Sequence, residues 1–337
     1  MPCRATAKRI AVTRTVVRTA ACLAALVPAM LAGSAQAQDY PNRAIRIIVT
    51  TSPGGLSDVF VRAFSEPLHK ALGQPVVVEN RSGGFMIIGA RACADSAPDG
   101  YTFCVMPGEP LIYNQFTQKS LPYDPVKSFD PIMNFFFITQ ALGVSSKLGV
   151  KSLDELAAYS KAKGGTLSYS APSSSLIQFF ETWKKKTGAD IVRVPFKGGG
   201  DTVTNMLSGT TPIGFLGLGN FLSYIQSGDV TPLLVDSEKR SPLIPDTTTL
   251  GEIGFAREHT RAFFGLLAPA GTPKAMTDRV RAAILKIASD PAFQKKHMLP
   301  RGLEPALDTP DEFRELLARD RVRAQTIVKA MAAEQAK

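Results

Sequence analysis

The sequence predicts an α/β fold of two mainly parallel sheets, each flanked by helices. Three observations carry this. Strand-like apolar runs alternate with helix-length amphipathic stretches along the chain. Helical stretches between successive strands make βαβ crossovers, which put neighbouring strands parallel. Some 300 residues follow the N-terminal segment 1–37, more than one open sheet comfortably holds.

In order, residues 44–50 read as a buried strand, Ser52-Pro53-Gly54-Gly55 as a turn, and 57–72 as a helix that Pro67 should kink. Strands follow at 76–78, 101–106, 166–170, 190–194, 212–216, 230–235 and 262–268. Helices are expected at 86–95, 152–163, 174–187, 200–208, 218–226, 273–289 and 311–332.

The N-terminus explains much of the charge. The chain has 39 Lys+Arg against 29 Asp+Glu, a formal +10. Residues 1–18 hold Arg4, Lys8, Arg9, Arg14 and Arg18 and no acid, an apolar run spans 19–33, and Ala35-Gln36-Ala37 follows. These are the parts of a secretory signal peptide, with cleavage expected after Ala37 and a periplasmic destination. Its removal takes five basic residues and leaves +5. It also takes Cys3 and Cys22, leaving Cys93 and Cys104 as either a disulfide or two buried thiols.

Two strand-to-helix turns echo one another. Strand 44–50 leads through 51–55 into a helix, and strand 166–170 leads through Ala171-Pro172-Ser173-Ser174-Ser175 into another. A ligand crevice lies at the carboxyl ends of strands in such sheets, and free N–H groups at a helix start suit an anion. Ser52, Gly54, Gly55, Ser173, Ser174 and Ser175 are therefore candidate ligand donors, with Asp58 as a helix cap that shapes the first loop.

Other chemistry is sparse. H-E-x-x-H, C-x-x-C, G-x-S-x-G and Walker A patterns are absent, so no metal or cofactor is expected. His69, His259 and His297 are scattered. A secreted serine hydrolase using Ser173, Ser174 or Ser175 is an alternative that needs a base brought by folding. The basic cluster at 184–186 lacks interleaved aromatics, which argues against nucleic acid.

Blocks along the chain resemble the periplasmic receptors of tripartite tricarboxylate transporters, the Bug family. They include Pro53-Gly54-Gly55 with Asp58, Gly73-Gln74-Pro75-Val76-Val77-Val78-Glu79-Asn80-Arg81, Pro98-Asp99-Gly100-Tyr101-Thr102, Leu121-Pro122-Tyr123-Asp124-Pro125, Val194-Pro195-Phe196-Lys197-Gly198 and Ala268-Pro269-Ala270-Gly271-Thr272-Pro273. The resemblance implies a two-domain Venus-flytrap fold of periplasmic-binding-protein type II. It places domain 1 at 38–140 plus 260–337, domain 2 at 141–259, and a small carboxylate in the cleft. It further implies delivery to a large and a small membrane subunit, no catalysis, and a monomer. A receptor for a membrane sensor kinase is an alternative with the same fold.

The chain departs from the family pattern in one direction. Phe85 and Met86 stand in what is usually a glycine-rich run, Phe179 at a histidine position, Phe196 at a tyrosine position and Leu216 at an aspartate position. Met106-Pro107-Gly108 replaces a stretch often rich in hydroxyls. Phe85, Met86, Phe179 and Phe196 are candidate apolar walls, and Lys197 a candidate partner for a second carboxylate. Such walls favour an aromatic or apolar-bodied mono- or dicarboxylate, such as terephthalate, over citrate.

Overall fold

The computed structural model describes residues 40–172, 174–195, 199–254 and 261–335. The expected leader 1–37 and its cleavage site lie outside the described residues, as do Ser173, Phe196, Lys197 and His259. No described helix is long and apolar enough to cross a membrane.

In order, the first elements are β1 (Ile45–Val49), α1 (Leu56–Leu72), β2 (Val76–Asn80), α2 (Ile87–Ala94) and β3 (Thr102–Pro107). A π-helical turn, Glu109–Tyr113, leads into α3 (Asn114–Thr117), then β4 (Phe129–Ile138) and β5 (Gln140–Ser145). Next come α4 (Leu153–Lys163), β6 (Leu167–Ser170), α5 (Ser174–Thr187), β7 (Ile191–Arg193) and α6 (Gly199–Ser208). They are followed by β8 (Ile213–Gly217), α7 (Leu222–Gln226) and β9 (Val230–Val235). The chain closes with β10 (Ala262–Pro269), α8 (Lys274–Ala288), α9 (Pro291–His297), β11 (Leu303–Pro305) and α10 (Pro310–Gln335). The helix expected at 218–226 is instead a 3₁₀ turn, Leu218–Asn220, followed by the short α7.

The described strands form a six-stranded sheet, β11-β4-β10-β3-β1-β2, and a five-stranded sheet, β7-β6-β8-β5-β9. Both are mixed rather than mainly parallel. In the first, β1 pairs parallel with β2 and β3, while β10 runs antiparallel to β3 and β4, and β11 to β4. In the second, β6 pairs parallel with β7 and β8, and β5 lies antiparallel to β8 and β9. The reason is the passage between sheets. β4 runs out of the first sheet and becomes β5 of the second with only Thr139 between them, and β10 enters beside β4. A strand that leaves and one that enters at the same place run in opposite directions.

Apolar periodicity fixes each layer. On α1, Phe60, Phe64 and Leu68 recur at four-residue spacing and are buried, and Gly73 ends the helix in the left-handed conformation, donating its N–H to His69 O. The helix continues through Pro67. Its Phe60 ring packs edge-on against Phe136 at 4.7 Å and Phe135 at 5.2 Å, joining α1 to β4. The second sheet is covered by α5, where Phe180 meets Tyr169 at 4.2 Å and Trp183 at 5.1 Å. At Gly265 on β10 a Cβ would overlap the Phe313 ring, so only glycine lets α10 lie this close to the sheet. Cys93 on α2 and Cys104 on β3 are joined by a disulfide with Cα atoms 6.2 Å apart.

Candidate functional site

The carboxyl end of β1 continues into Thr50, Thr51 and Ser52, all buried, and then into the turn that starts α1. Thr51 Oγ1 and Ser57 Oγ share a hydrogen bond of 2.5 Å. Asp58 ties the loop from within: Oδ2 accepts from Gly54 N–H at 2.9 Å, and Oδ1 accepts from Arg62 Nε at 2.9 Å. Among the described residues the Gly55 N–H makes only a long 3.4 Å contact to Ser52 O. Ser52 Oγ is buried without a hydrogen-bond partner among the described residues. The next amide, Leu56 N–H, donates to Asn220 Oδ1, a residue that follows β8 of the other sheet.

Two helices of the second sheet begin at the same place. α6 approaches so closely that a Cβ on Gly200 would stand 2.6 Å from Pro53 O, which explains the glycines there. At the start of α5, Ser174 is already engaged. Its N–H donates to Glu109 Oε2 at 3.1 Å, and its hydroxyl donates to Glu109 Oε1 at 2.6 Å. Glu109 sits on the π-helical turn after β3, so this contact also links the two sheets. Burial pushes the Glu109 carboxyl up to about 7, against the opposing pull of the Ser174 hydrogen bonds and the Arg193 charge.

Between these helix starts lies a cavity of about 100 Å³. Its polar lining comes from Thr51, Gly55, Ser57, Glu109, Gln140, Ser175, Gly199 and Asn220, and its apolar lining from Leu56, Met86, Ile138, Leu216, Phe263 and Phe264. Three helix N-termini, those of α1, α5 and α6, therefore border one small apolar-walled space, an arrangement suited to an anion. Arg261 reaches the wall but commits its guanidinium to Glu304 at 2.5 Å and lies over the Phe137 ring at 4.1 Å. A wider groove of about 1170 Å³ runs past Asp236–Leu243 and Glu304. It borders none of these helix starts, and its Arg240 pairs with Glu252 outside the groove lining.

Of the residues singled out from sequence, Gly55, Met86 and Ser175 line the cavity. Ser52, Asp58 and Ser174 lie immediately behind it in the loops that shape it. Gly54 lines instead an adjoining depression of about 390 Å³ with Pro53 and Gly200, which shares Leu56, Gly199 and Asn220 with the cavity. Phe179 packs into the core of the second sheet, its ring 5.7 Å from Phe215. Phe85 is half-buried, with the Arg193 guanidinium 5.6 Å from its ring. Both Phe85 and Met86 adopt left-handed backbone conformations, φ 53° and 66°, directly after Gly83 and Gly84 at positive φ. Sequence reasoning passed over Glu109, Gln140, Asn220 and Phe263. A carboxylate in an otherwise apolar stretch, Met106–Tyr113, was the available signal for Glu109. His69 and His297 do not line the cavity.

The family model described as "Tripartite tricarboxylate transporter family receptor" matches residues 60–333. The chain belongs to that receptor family. It is 32% identical to the protein BugT of Bordetella pertussis over 301 residues, covering 87% of this chain and 90% of that protein. Among solved structures it resembles Rpa4515 of R. palustris with adipate, at 26% identity and TM-score 0.78, covering 86% of this receptor and 97% of that chain. It also resembles MatC of Rhodopseudomonas palustris with bound malate, at 25% identity and TM-score 0.78, covering 86% and 100%. The receptor thus has a periplasmic-binding-protein fold and belongs to a family of solute receptors.

Proposed function

We propose that this receptor captures a small carboxylate in the cavity between its two sheets and delivers it to the membrane subunits of a tripartite transporter, without chemical turnover. The observation that carries the reading is the convergence of the α1, α5 and α6 N-termini on one apolar-walled space. The adipate and malate in the two related structures are consistent with it. In this reading residues 38–140 plus 260–337 form one lobe and 141–259 the other, closing over the ligand by hinge motion. Export through the 1–37 leader, cleaved after Ala37, brings a monomeric receptor to the periplasm.

The walls set the choice of ligand. Met86, Leu216, Phe263 and Phe264 offer apolar surface where a polyhydroxy acid would want fixed donors. An aromatic or apolar-bodied acid such as benzoate or terephthalate is therefore favoured over citrate. Ligand at about a hundredfold excess over its Kd adds about 2.7 kcal/mol of stability, a rise of several degrees in Tm. In a thermal-shift panel on the purified chain, benzoate and terephthalate should raise Tm more than citrate. A panel in which only small hydroxy acids stabilise the protein refutes the apolar preference, and one in which no acid does refutes the receptor reading.

A further inference from the structure

Of the three helix N-termini around the cavity, one is filled by the protein itself. The Glu109 carboxylate holds both the N–H and the hydroxyl of Ser174, the first residue of α5, as a bound acid would. Each Glu109 oxygen accepts one of these bonds and keeps a lone pair for another. Glu109 is 3% exposed, lines the cavity, and has no ion-pair partner among the described residues. Arg261, the one arginine among the described lining residues, is held by Glu304. At the other end, Gly55 N–H makes, among the described residues, only its long contact to Ser52 O.

We propose that Glu109 is a specificity-determining residue, which makes the site prefer, among apolar-bodied acids, those with one carboxylate and a hydrogen-bond donor at the far end over those with a second carboxylate there. This deepens the carboxylate-receptor reading and rests on it. The ligand carboxylate faces the starts of α1 and α6, the apolar body lies against Met86 and Phe263, and an amide or hydroxyl donates to Glu109. A second carboxylate in that place would meet a like charge in a water-poor site and find the α5 terminus taken.

The test uses three probes of one shape: benzoate, terephthalate and 4-carbamoylbenzoate, the last replacing one terephthalate carboxylate by an amide. Affinities are measured by calorimetry at about pH 8, above the Glu109 pKa. Wild-type receptor should bind 4-carbamoylbenzoate at least about tenfold more tightly than terephthalate. Glu109→Gln keeps an acceptor for Ser174 and removes the charge; it should bring the two affinities within about threefold of one another. Equal wild-type affinities for the two substituted acids, or a ratio that survives Glu109→Gln, would overturn the proposal while benzoate binding upholds the receptor reading. The wild-type ratio needs no variant to fold. If none of the three acids binds, the apolar preference fails and this proposal falls with it, while binding of any other acid still upholds the receptor reading.

Discussion

Asn220 caps a helix that belongs to the other sheet: its Oδ1 accepts from Leu56 N–H at 3.2 Å, across 164 positions of sequence, while its Nδ2 donates to Gly217 O at 2.9 Å. One amide thus fixes the start of α1 relative to the end of β8. Replacing it by alanine strands the Leu56 N–H beside the cavity. Asn220→Ala should cost about 1 kcal/mol of stability, read as a lower denaturant midpoint. It should also weaken binding of benzoate by a larger factor than a remote helix-cap variant of equal stability, such as Ser152→Ala on α4, whose hydroxyl caps Glu155 N–H.

Glu109 predicts a pH dependence of known sign. Its folded pKa of about 7 lies above the ordinary 4.5, because burial disfavours the charged form. The folded state then holds the proton more tightly than the unfolded state. The stabilisation is full below about pH 4.5 and is lost as pH rises through about 7. Against Glu109→Gln, wild type should therefore lose on the order of 3 kcal/mol between those limits. Urea unfolding of both proteins at the two ends of that range checks this, and a difference that is flat or grows with pH contradicts it.

The disulfide closes a short loop, with 11 residues of separation between Cys93 and Cys104. Chain entropy assigns such a loop about 3 kcal/mol. The double variant Cys93→Ala, Cys104→Ala should fall in stability by roughly that amount while keeping ligand affinity, because neither cysteine lines the cavity. Calorimetric unfolding and a ligand titration on the same preparation read both quantities.

Met86 holds its cavity-wall position at a backbone cost. Its φ of 66° suits glycine, and such a residue stores about 1 kcal/mol or more of strain. Met86→Gly relieves the strain and loses a buried side chain, two effects of opposite sign. Stability should change by less than about 2 kcal/mol, while the enlarged cavity should accept bulkier acids such as 2-naphthoate that wild type excludes. A crystal structure or binding titration with that acid decides the point.

The βα units were legible because their apolar spacing is local: Ile45–Val49, Val76–Asn80 and the α1 stripe show their period in the sequence. Strands β4 and β5 were not. Phe129–Ser145 breaks its apolar clusters with Asp130, Asn134, Thr139 and Gln140 at no regular period, carries Pro131, and passes between sheets at Thr139 with no turn residue to mark the change. The first loop of the site could be read from Pro53-Gly54-Gly55, whose composition announces a turn. Asn220 could not, and Glu109 showed only as an acid in an apolar stretch, because their roles depend on partners 164 and 65 residues away. Phe179 shows the opposite difficulty: an aromatic on a helix face looks the same whether it meets a ligand or, as here, Phe215.

The single-residue passage at Thr139 has a kinetic meaning. Ile138, just before it, and Ala262, its partner on β10, both belong to the cavity wall. In the proposed closing motion these residues sit beside the strand that joins the two sheets, and points next to a hinge are the ones that travel least. The apolar floor would thus keep one shape throughout the cycle, whereas Ser175 and Gly199, on helices of the second sheet, would come in with that sheet. An acid would be screened for the fit of its body on arrival and for its polar end only afterwards. A poor body would leave before closure began, and a wrong terminus would show itself as a slow or incomplete closing step.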